Sequence, residues 1–261
     1  MPTDCYLEGK HAVVTGGSRG IGAAIAAELA RAGADLTILA RSTARLDRAA
    51  ESLRASGTRV TALECDIAEE ASVKACFARA RDELGDPYVL VNNAGMAEAA
   101  PFGRTSRELW DRTLAVNLTS VFTCTQQVLP AMLAAKAGRV VNVASTAGLR
   151  GYKTMSAYCA SKHGVVGLTR ALAAETARHG VTVNAVCPGY VDTEMTDHAV
   201  ANVIAALGKS EAEARAMIVG TVPRGALITP DEVASAVAWL CRPEAAAVSG
   251  VALPIAGGEM P

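Results

Sequence analysis

Aromatic residues are scarce in this chain of 261: three Phe, two Trp and five Tyr amount to 4% of it. The interior must therefore be filled by small aliphatic side chains, and the 51% hydrophobic content comes largely from alanine, valine and leucine. Such a composition suits buried parallel strands covered by tightly packed helices. Neither sign of charge is in excess. A net charge of -1 gives no electrostatic case for nucleic acid or an anionic membrane surface as partner. No uninterrupted apolar run is long enough to span a bilayer, and Met1-Pro2-Thr3-Asp4 lacks the basic region and apolar core of a signal peptide. The seven cysteines are odd in number and show no C-x-x-C pairing for zinc or thiol exchange. Cys76, Cys124, Cys187 and Cys241 fall inside apolar runs and are expected to be buried, reduced thiols. Linkers, repeats and low-complexity tracts are also missing, so a single domain over 1–261 is expected. These absences describe a soluble cytoplasmic protein with no metal, nucleic acid or membrane partner.

What the chain does contain is organised around Ser156-Ala157-Tyr158-Cys159-Ala160-Ser161-Lys162. This opens a strongly helical run through Arg178, so Tyr158 and Lys162, four residues apart, share one helix face. An ammonium beside a phenol favours phenolate, and a helix N-terminus adds partial positive charge. A group of ordinary pKa about 10 can thereby become a general acid/base. Taken alone, the spacing reads as a solvated helix pair. Its chemical meaning depends on what else the chain delivers to the same place.

Residues 11–15, an apolar strand, run into Gly16-Gly17-Ser18-Arg19-Gly20-Ile21-Gly22 and then an alanine-rich helix over about 21–32. Strand, glycine loop and helix in that order let a backbone approach a phosphate closely, while the helix N-terminus supplies unpaired N–H groups. A second strand, 36–40, ends at Arg41. An acidic residue there would accept bonds from the ribose hydroxyls of NAD; an arginine, with Arg19 projecting from the glycine loop, suits a 2′-phosphate and points to NADP(H). A helix over 43–56, a strand over 59–64 and a helix over 69–84 follow. Asp66, at the carboxyl end of the third strand, either accepts a bond from an adenine amino group or caps the helix beginning near 69. Tyr88-Val89-Leu90-Val91 forms a fourth strand, which delivers Asn92-Asn93-Ala94-Gly95 to the same edge.

The pattern over 106–135 is helical, with Pro130 as an expected kink or break. Asn117 lies on an apolar face within it, where an amide is costly unless bonded; it either mends a local backbone irregularity or holds a functional water. The fifth strand ends at Ser145, and a loop over 146–155 leads to the Tyr158 helix. The sixth strand, 181–187, ends at Pro188-Gly189-Tyr190. Residues 191–228 break the alternating rhythm and are expected to form a substrate lid. A helix from Asp231 to about Cys241 and a seventh strand over 251–255 complete a doubly wound α/β Rossmann fold with a seven-stranded parallel sheet and helices on both faces.

The constellation Thr15-Gly16-x-x-x-Gly20-x-Gly22, Asn92-Asn93-Ala94-Gly95, Asn117, Ser145, Tyr158-x-x-x-Lys162 and Asn184 with Pro188-Gly189 resembles the short-chain dehydrogenase/reductase family over essentially the whole chain. The resemblance implies a catalytic set of Asn117, Ser145, Tyr158 and Lys162. Tyr158 would pass a proton to or from the reacting oxygen, Ser145 would polarise it, Lys162 would tune the phenol and hold the nicotinamide ribose, and Asn117 would hold the water that refills the proton. It implies a cofactor site of Gly16, Ser18, Arg19, Gly20, Ile21, Gly22, Arg41, Asp66, Ile67, Asn93, Ala94, Gly95, Pro188, Gly189, Val191 and Thr193, together with Tyr158 and Lys162. The run from Cys187 through Thr196 looks most like the 3-oxoacyl-thioester reductases, those acting on acyl-carrier-protein or CoA substrates and the polyketide ketoreductases included. The loop over 96–102 departs from the glycine-rich pattern of the polyketide branch. A dehydrogenase of small or cyclic secondary alcohols is the alternative activity, and a non-catalytic NADP(H)-binding module the alternative class. The family also commonly pairs its catalytic helices across a two-fold axis. Gly164 and Gly167 on that helix would permit close approach, so a homotetramer is expected.

Overall fold

A computed structural model describes residues 5–259; Met1–Asp4, where the sequence shows no signal-peptide pattern, lie outside them. Strand β1 (His11–Thr15) is buried at every position, and its side chains alternate between two layers. Ala12 and Val14 face one core with Leu36, Ile38, Val89 and Val91, whereas Val13 faces the other with Leu39, Leu90 and Val140. Both faces of the sheet are therefore apolar, as a parallel sheet requires.

The remaining elements alternate as the composition suggests. After β1 come α1 (Gly20–Arg31), β2 (Asp35–Ala40), α2 (Thr43–Arg54), β3 (Val60–Glu64), α3 (Glu70–Leu84) and β4 (Pro87–Asn92). The second half runs α4 (Arg107–Leu114), α5 (Ser120–Ala135), β5 (Gly138–Val143), α6 (Ser156–Thr176), β6 (Val181–Pro188), α7 (Glu194–Leu207), α8 (Glu211–Val219), α9 (Pro230–Cys241) and β7 (Ala252–Ile255). All pairings are parallel, in the order β3-β2-β1-β4-β5-β6-β7. Alanines on α1 let it pack closely on α9, with Ile25, Ala26 and Leu29 meeting Val233, Ala234 and Val237 in one core. The opposite layer is built by Phe77 of α3 and by Cys124, Val128 and Met132 of α5.

Two local expectations are corrected. Pro130 does not break its helix: α5 runs through it to Ala135. The proline is exposed, so the carbonyl it leaves unbonded lies on the solvent side of the helix. The interruption falls instead at Ala115–Thr119, a π-turn between α4 and α5 that contains Asn117. α6 also ends at Thr176, earlier than the sequence pattern suggests, and a 3-10 turn over Ala177–His179 leads to Gly180 in a left-handed conformation.

Residues 191–228 leave the sheet and return to the point of departure. Val191 and Ile228 form a parallel bridge, Asp192 N–H donates to Ile228 O at 2.9 Å, and Ile228 N–H donates to Tyr190 O at 2.9 Å. Between those ends α7 and α8 fold on a small core of Val200, Ala214, Ile218 and Leu227. Asn184, by contrast, is a scaffold residue. Its amide donates to Val248 O at 2.8 Å and accepts from Val251 N–H at 3.2 Å, fixing the approach to β7.

Candidate active site

In an open parallel sheet, a crevice forms at the carboxyl edge where strand order reverses. Here that point lies between β1 and β4. The Thr15 hydroxyl closes its floor by accepting from the N–H groups of Asn93 (2.9 Å) and Ala94 (3.0 Å). The Asn93 amide donates to Thr15 O at 2.9 Å and to Gly16 O at 3.3 Å.

The glycines form a cradle that side chains would fill. A Cβ on Gly22 would sit 2.2 Å from Gly16 O, and one on Gly16, whose φ is +65°, would meet Asn93 Nδ2 at 2.9 Å. Arg19 caps α1 without a side-chain hydrogen bond, so the first N–H groups of the helix face the crevice with no capping oxygen. Ile21, in the same first turn, is partly buried and packs against the core. Close backbone approach and free helix donors fit a dinucleotide pyrophosphate.

Arg41, Asp66, Ile67, Gly16, Ala94 and Gly95 line one cavity of about 220 Å³ beside this cradle. Asp66 does not cap α3, whose N-cap is Glu69; its carboxylate accepts from Ala68 N–H at 3.0 Å in a local turn. Arg41 is exposed in this cavity, whereas Ser18 and Arg19 line a second one with Arg45, Arg48 and Glu194. The two arginines expected to converge thus face adjoining cavities.

At the ends of β5 and β6 the hydroxyl chemistry comes together. Ser145 Oγ accepts from Ala147 N–H at 3.1 Å and donates to Pro188 O at 3.5 Å. Tyr158 is half-buried in the first turn of α6, and Lys162 is buried one turn later. The Lys162 ammonium lies 5.8 Å from the Tyr158 ring centroid and donates to Val143 O at 2.8 Å.

The electrostatics differ from the sequence expectation. Desolvation holds the Tyr158 phenol above its usual pKa, opposed by Ser145, and pushes Lys162 down to about 8. Burial is the dominant influence on both groups.

Asn117 is fully buried with its amide groups occupied: Oδ1 accepts from Met96 N–H at 2.8 Å, and Nδ2 donates to Met96 O (2.9 Å) and Ser161 Oγ (3.1 Å). Its side chain bonds the backbone of the loop after β4 rather than that of the π-turn that carries it. It remains beside the site, since a Cβ on Gly95 would lie 3.4 Å from Asn117 Oδ1 and 3.7 Å from Lys162 Nζ.

Pro188, Gly189, Val191 and Thr193 follow along the same edge. Thr193 faces the glycine loop, where a Cβ on Gly20 would lie 3.3 Å from its methyl group.

Sequence patterns do not reveal one buried network on this edge. The Tyr152 hydroxyl bonds Thr146 Oγ1 at 2.7 Å and donates to Glu259, whose side chain is only 2% exposed. Arg150 donates to the same carboxylate at 2.6 Å and lies over the Tyr152 ring, 4.7 Å from its centroid. Glu259 Oε2 is buried without a partner, 2.6 Å from the Cβ position of Gly189. A carboxylate at the end of a chain carries no periodicity, so only the fold shows it meeting the loop after Ser145.

A doubly wound parallel sheet with a glycine cradle at its switch point defines a dinucleotide-binding α/β protein. The chain belongs to the short chain dehydrogenase family, whose sequence profile matches residues 10–203. It is 44% identical over 249 residues to the granaticin polyketide synthase putative ketoacyl reductase 1 of Streptomyces violaceoruber, covering 95% of this chain and 92% of that one. It is 38% identical over 252 residues to the 3-oxoacyl-[acyl-carrier-protein] reductase FabG of Pseudomonas aeruginosa, covering 97% and 98%. Among solved structures, a single-residue tryptophan variant of the actinorhodin polyketide ketoreductase with NADPH superposes with a TM-score of 0.93 at 41% identity, over 96% of this chain and 97% of that one. The departure of the 96–102 loop from the polyketide pattern therefore does not separate this chain from proteins of that branch.

Proposed function

We propose that this chain is an NADP(H)-dependent ketoreductase that reduces a 3-oxoacyl thioester or related ketone to a secondary alcohol, reversibly. One observation carries the proposal: Ser145, just past β5, and Tyr158, in the first turn of α6, meet at the sheet's carboxyl edge, near enough for the serine to oppose the upward shift of the phenol, with the Lys162 ammonium buried behind them. Two hydroxyls so placed can bind one carbonyl oxygen. The names of the relatives support the substrate class, and the NADPH in the related ketoreductase structure supports the cofactor.

NADPH, when bound, supplies the hydride for reduction. Tyr158, held as a neutral phenol by its buried setting, donates a proton to the developing alkoxide. Ser145 donates to the same oxygen and fixes its position. Lys162 presents its charge toward the ribose and the phenol while Val143 O holds the ammonium. Asn117 keeps the Met96 backbone and the π-turn in place beside Lys162, and the turn gives a proton-refilling water its place. Residues 191–228, closed at their base, act as the substrate lid over a single cytoplasmic domain. The glycine loop and the Pro188–Thr193 edge hold the cofactor between them.

The proposal includes a homotetramer. Gly164 no longer argues for it, because a Cβ there would meet Leu118 of the same chain at 2.6 Å; Gly167, where a Cβ would meet nothing within 4 Å, and Phe122 and Trp239, each about half exposed, remain. Light scattering at micromolar concentration should give the mass of four chains, and a monomeric mass would refute the assembly. The activity is tested by following NADPH consumption with acetoacetyl-CoA, a cyclic ketone and a steroid ketone, each repeated with NADH. Turnover of the thioester with NADPH is expected; turnover confined to the cyclic ketone or to NADH would refute the proposal.

A further inference from the structure

Phosphate recognition commonly uses guanidinium groups converging on one oxygen. Two guanidiniums already converge in this molecule, but on an oxygen of its own chain. Glu194 Oε2 accepts from Arg19 of the glycine loop and from Arg45 in the first turn of α2, the latter at 3.3 Å. Arg48 and Ser18 line the same cavity, of about 410 Å³. Three cations and one carboxylate line this cavity, so it keeps a net positive charge.

Glu194 is the first residue of α7, and Thr193 before it packs on the glycine loop. The start of the helix that follows the cofactor-binding edge is therefore pinned to the loop that receives the phosphates. The pins are exposed: Arg19 by 52%, Arg45 by 40% and Glu194 by 53% of their side chains. Exposed ion pairs are weak, so a single carboxylate is readily exchanged for a dianionic phosphate with more acceptor oxygens. Arg41, at the end of β2 where the ribose of a bound dinucleotide is read, is exposed and lines the cavity beside the glycine cradle.

On the NADP(H) reading above, we infer that Arg45 joins Arg19 and Arg41 in recognising the 2′-phosphate, and that Glu194 is the internal carboxylate this phosphate displaces. Glu194 is then a specificity-determining residue. A dinucleotide lacking the phosphate leaves the Arg19–Glu194–Arg45 cluster intact, whereas the phosphorylated one takes over its arginines and unpins the start of α7.

The test uses nucleotides without a nicotinamide, so it does not depend on turnover. Isothermal titration of 2′,5′-ADP and of 5′-AMP would be compared for the unmodified protein, Glu194→Gln and Arg45→Ala, with thermal unfolding to confirm that each variant folds. Glu194→Gln should tighten 2′,5′-ADP about three- to tenfold and leave 5′-AMP within about twofold. Arg45→Ala should weaken 2′,5′-ADP about tenfold and spare 5′-AMP, and in the double variant the gain from Glu194→Gln should shrink because the two residues are coupled. Unchanged or weaker 2′,5′-ADP binding by Glu194→Gln, or an equal loss of both nucleotides in Arg45→Ala, overturns the inference. If the unmodified protein does not prefer 2′,5′-ADP to 5′-AMP, the NADP(H) reading itself fails.

Discussion

Tyr158 and Lys162 each bear the consequence of being buried together. An ammonium near a phenol suggests a lowered tyrosine pKa from sequence alone, yet removal from water raises Tyr158 and lowers Lys162 to about 8. Both shifts disfavour charge. Tyr158 is thereby kept in the form that gives a proton, which suits reduction, while the positive charge on Lys162 is lost as pH rises through about 8. The lowered pKa also has a sign in stability. Since the unfolded chain holds this proton more tightly than the folded one, the penalty for burying the ammonium is fully present below about pH 8 and is relieved as pH rises toward 10.5. Lys162→Met should therefore raise the stability of the cofactor-free protein at neutral pH by about 1–3 kcal/mol, while NADPH affinity and turnover both fall. Denaturant melts beside cofactor titrations check it; a less stable variant would show that the bond to Val143 O outweighs the desolvation of the charge.

At the scale of elements, the glycine loop was the most legible part of the sequence. Strand, loop and helix follow from composition, and the glycines are explained by close approach: a Cβ on Gly22 would lie 2.2 Å from a backbone oxygen that cannot move without opening the turn. Gly22→Ala should cost about 2–4 kcal/mol and abolish NADPH binding, measured by thermal unfolding and titration. A variant that binds NADPH normally would contradict the close-packed cradle. The stretch over 106–135 was less legible. Periodicity showed one helix with a weak point at Pro130, but α5 tolerates an exposed proline, and the break falls where the Asn117 amide bonds the backbone of Met96. The sequence showed that Asn117 needed partners; choosing between backbone and water required the loop after β4 to be in place. Asp66 is similar: its position at a strand end was readable, while its bond to Ala68 N–H depends on turn geometry.

Across the whole molecule, sheet order and both core layers follow from alternation along the strands, because a buried parallel sheet leaves few other ways to place the apolar residues. Contacts between distant segments were not readable in this way. Glu259 reaches Arg150 and Tyr152 from more than a hundred residues away, and Glu194 reaches Arg19 across the crevice. The first of these ties the end of the described chain to the loop between Ser145 and Tyr158. Because Arg150 is partly exposed and can turn to water, the main loss in Glu259→Ala is the acceptor of the half-buried Tyr152 hydroxyl. Stability should fall by about 1–3 kcal/mol, with turnover reduced more than NADPH affinity, and Glu259→Gln should recover part of both. Unaltered melting and turnover in Glu259→Ala would show that the tail does not support the site.

The proton given by Tyr158 is the claim on which the rest depends, and steady-state NADPH consumption with acetoacetyl-CoA, measured for the unmodified protein and Tyr158→Phe alongside NADPH titrations of both, tests it most directly. Losing the hydroxyl while keeping the ring should lower turnover by about a hundred- to ten-thousandfold and leave NADPH affinity within a few-fold, because the phenol acts on the reacting oxygen. Near-normal turnover by Tyr158→Phe would contradict the proton-transfer account.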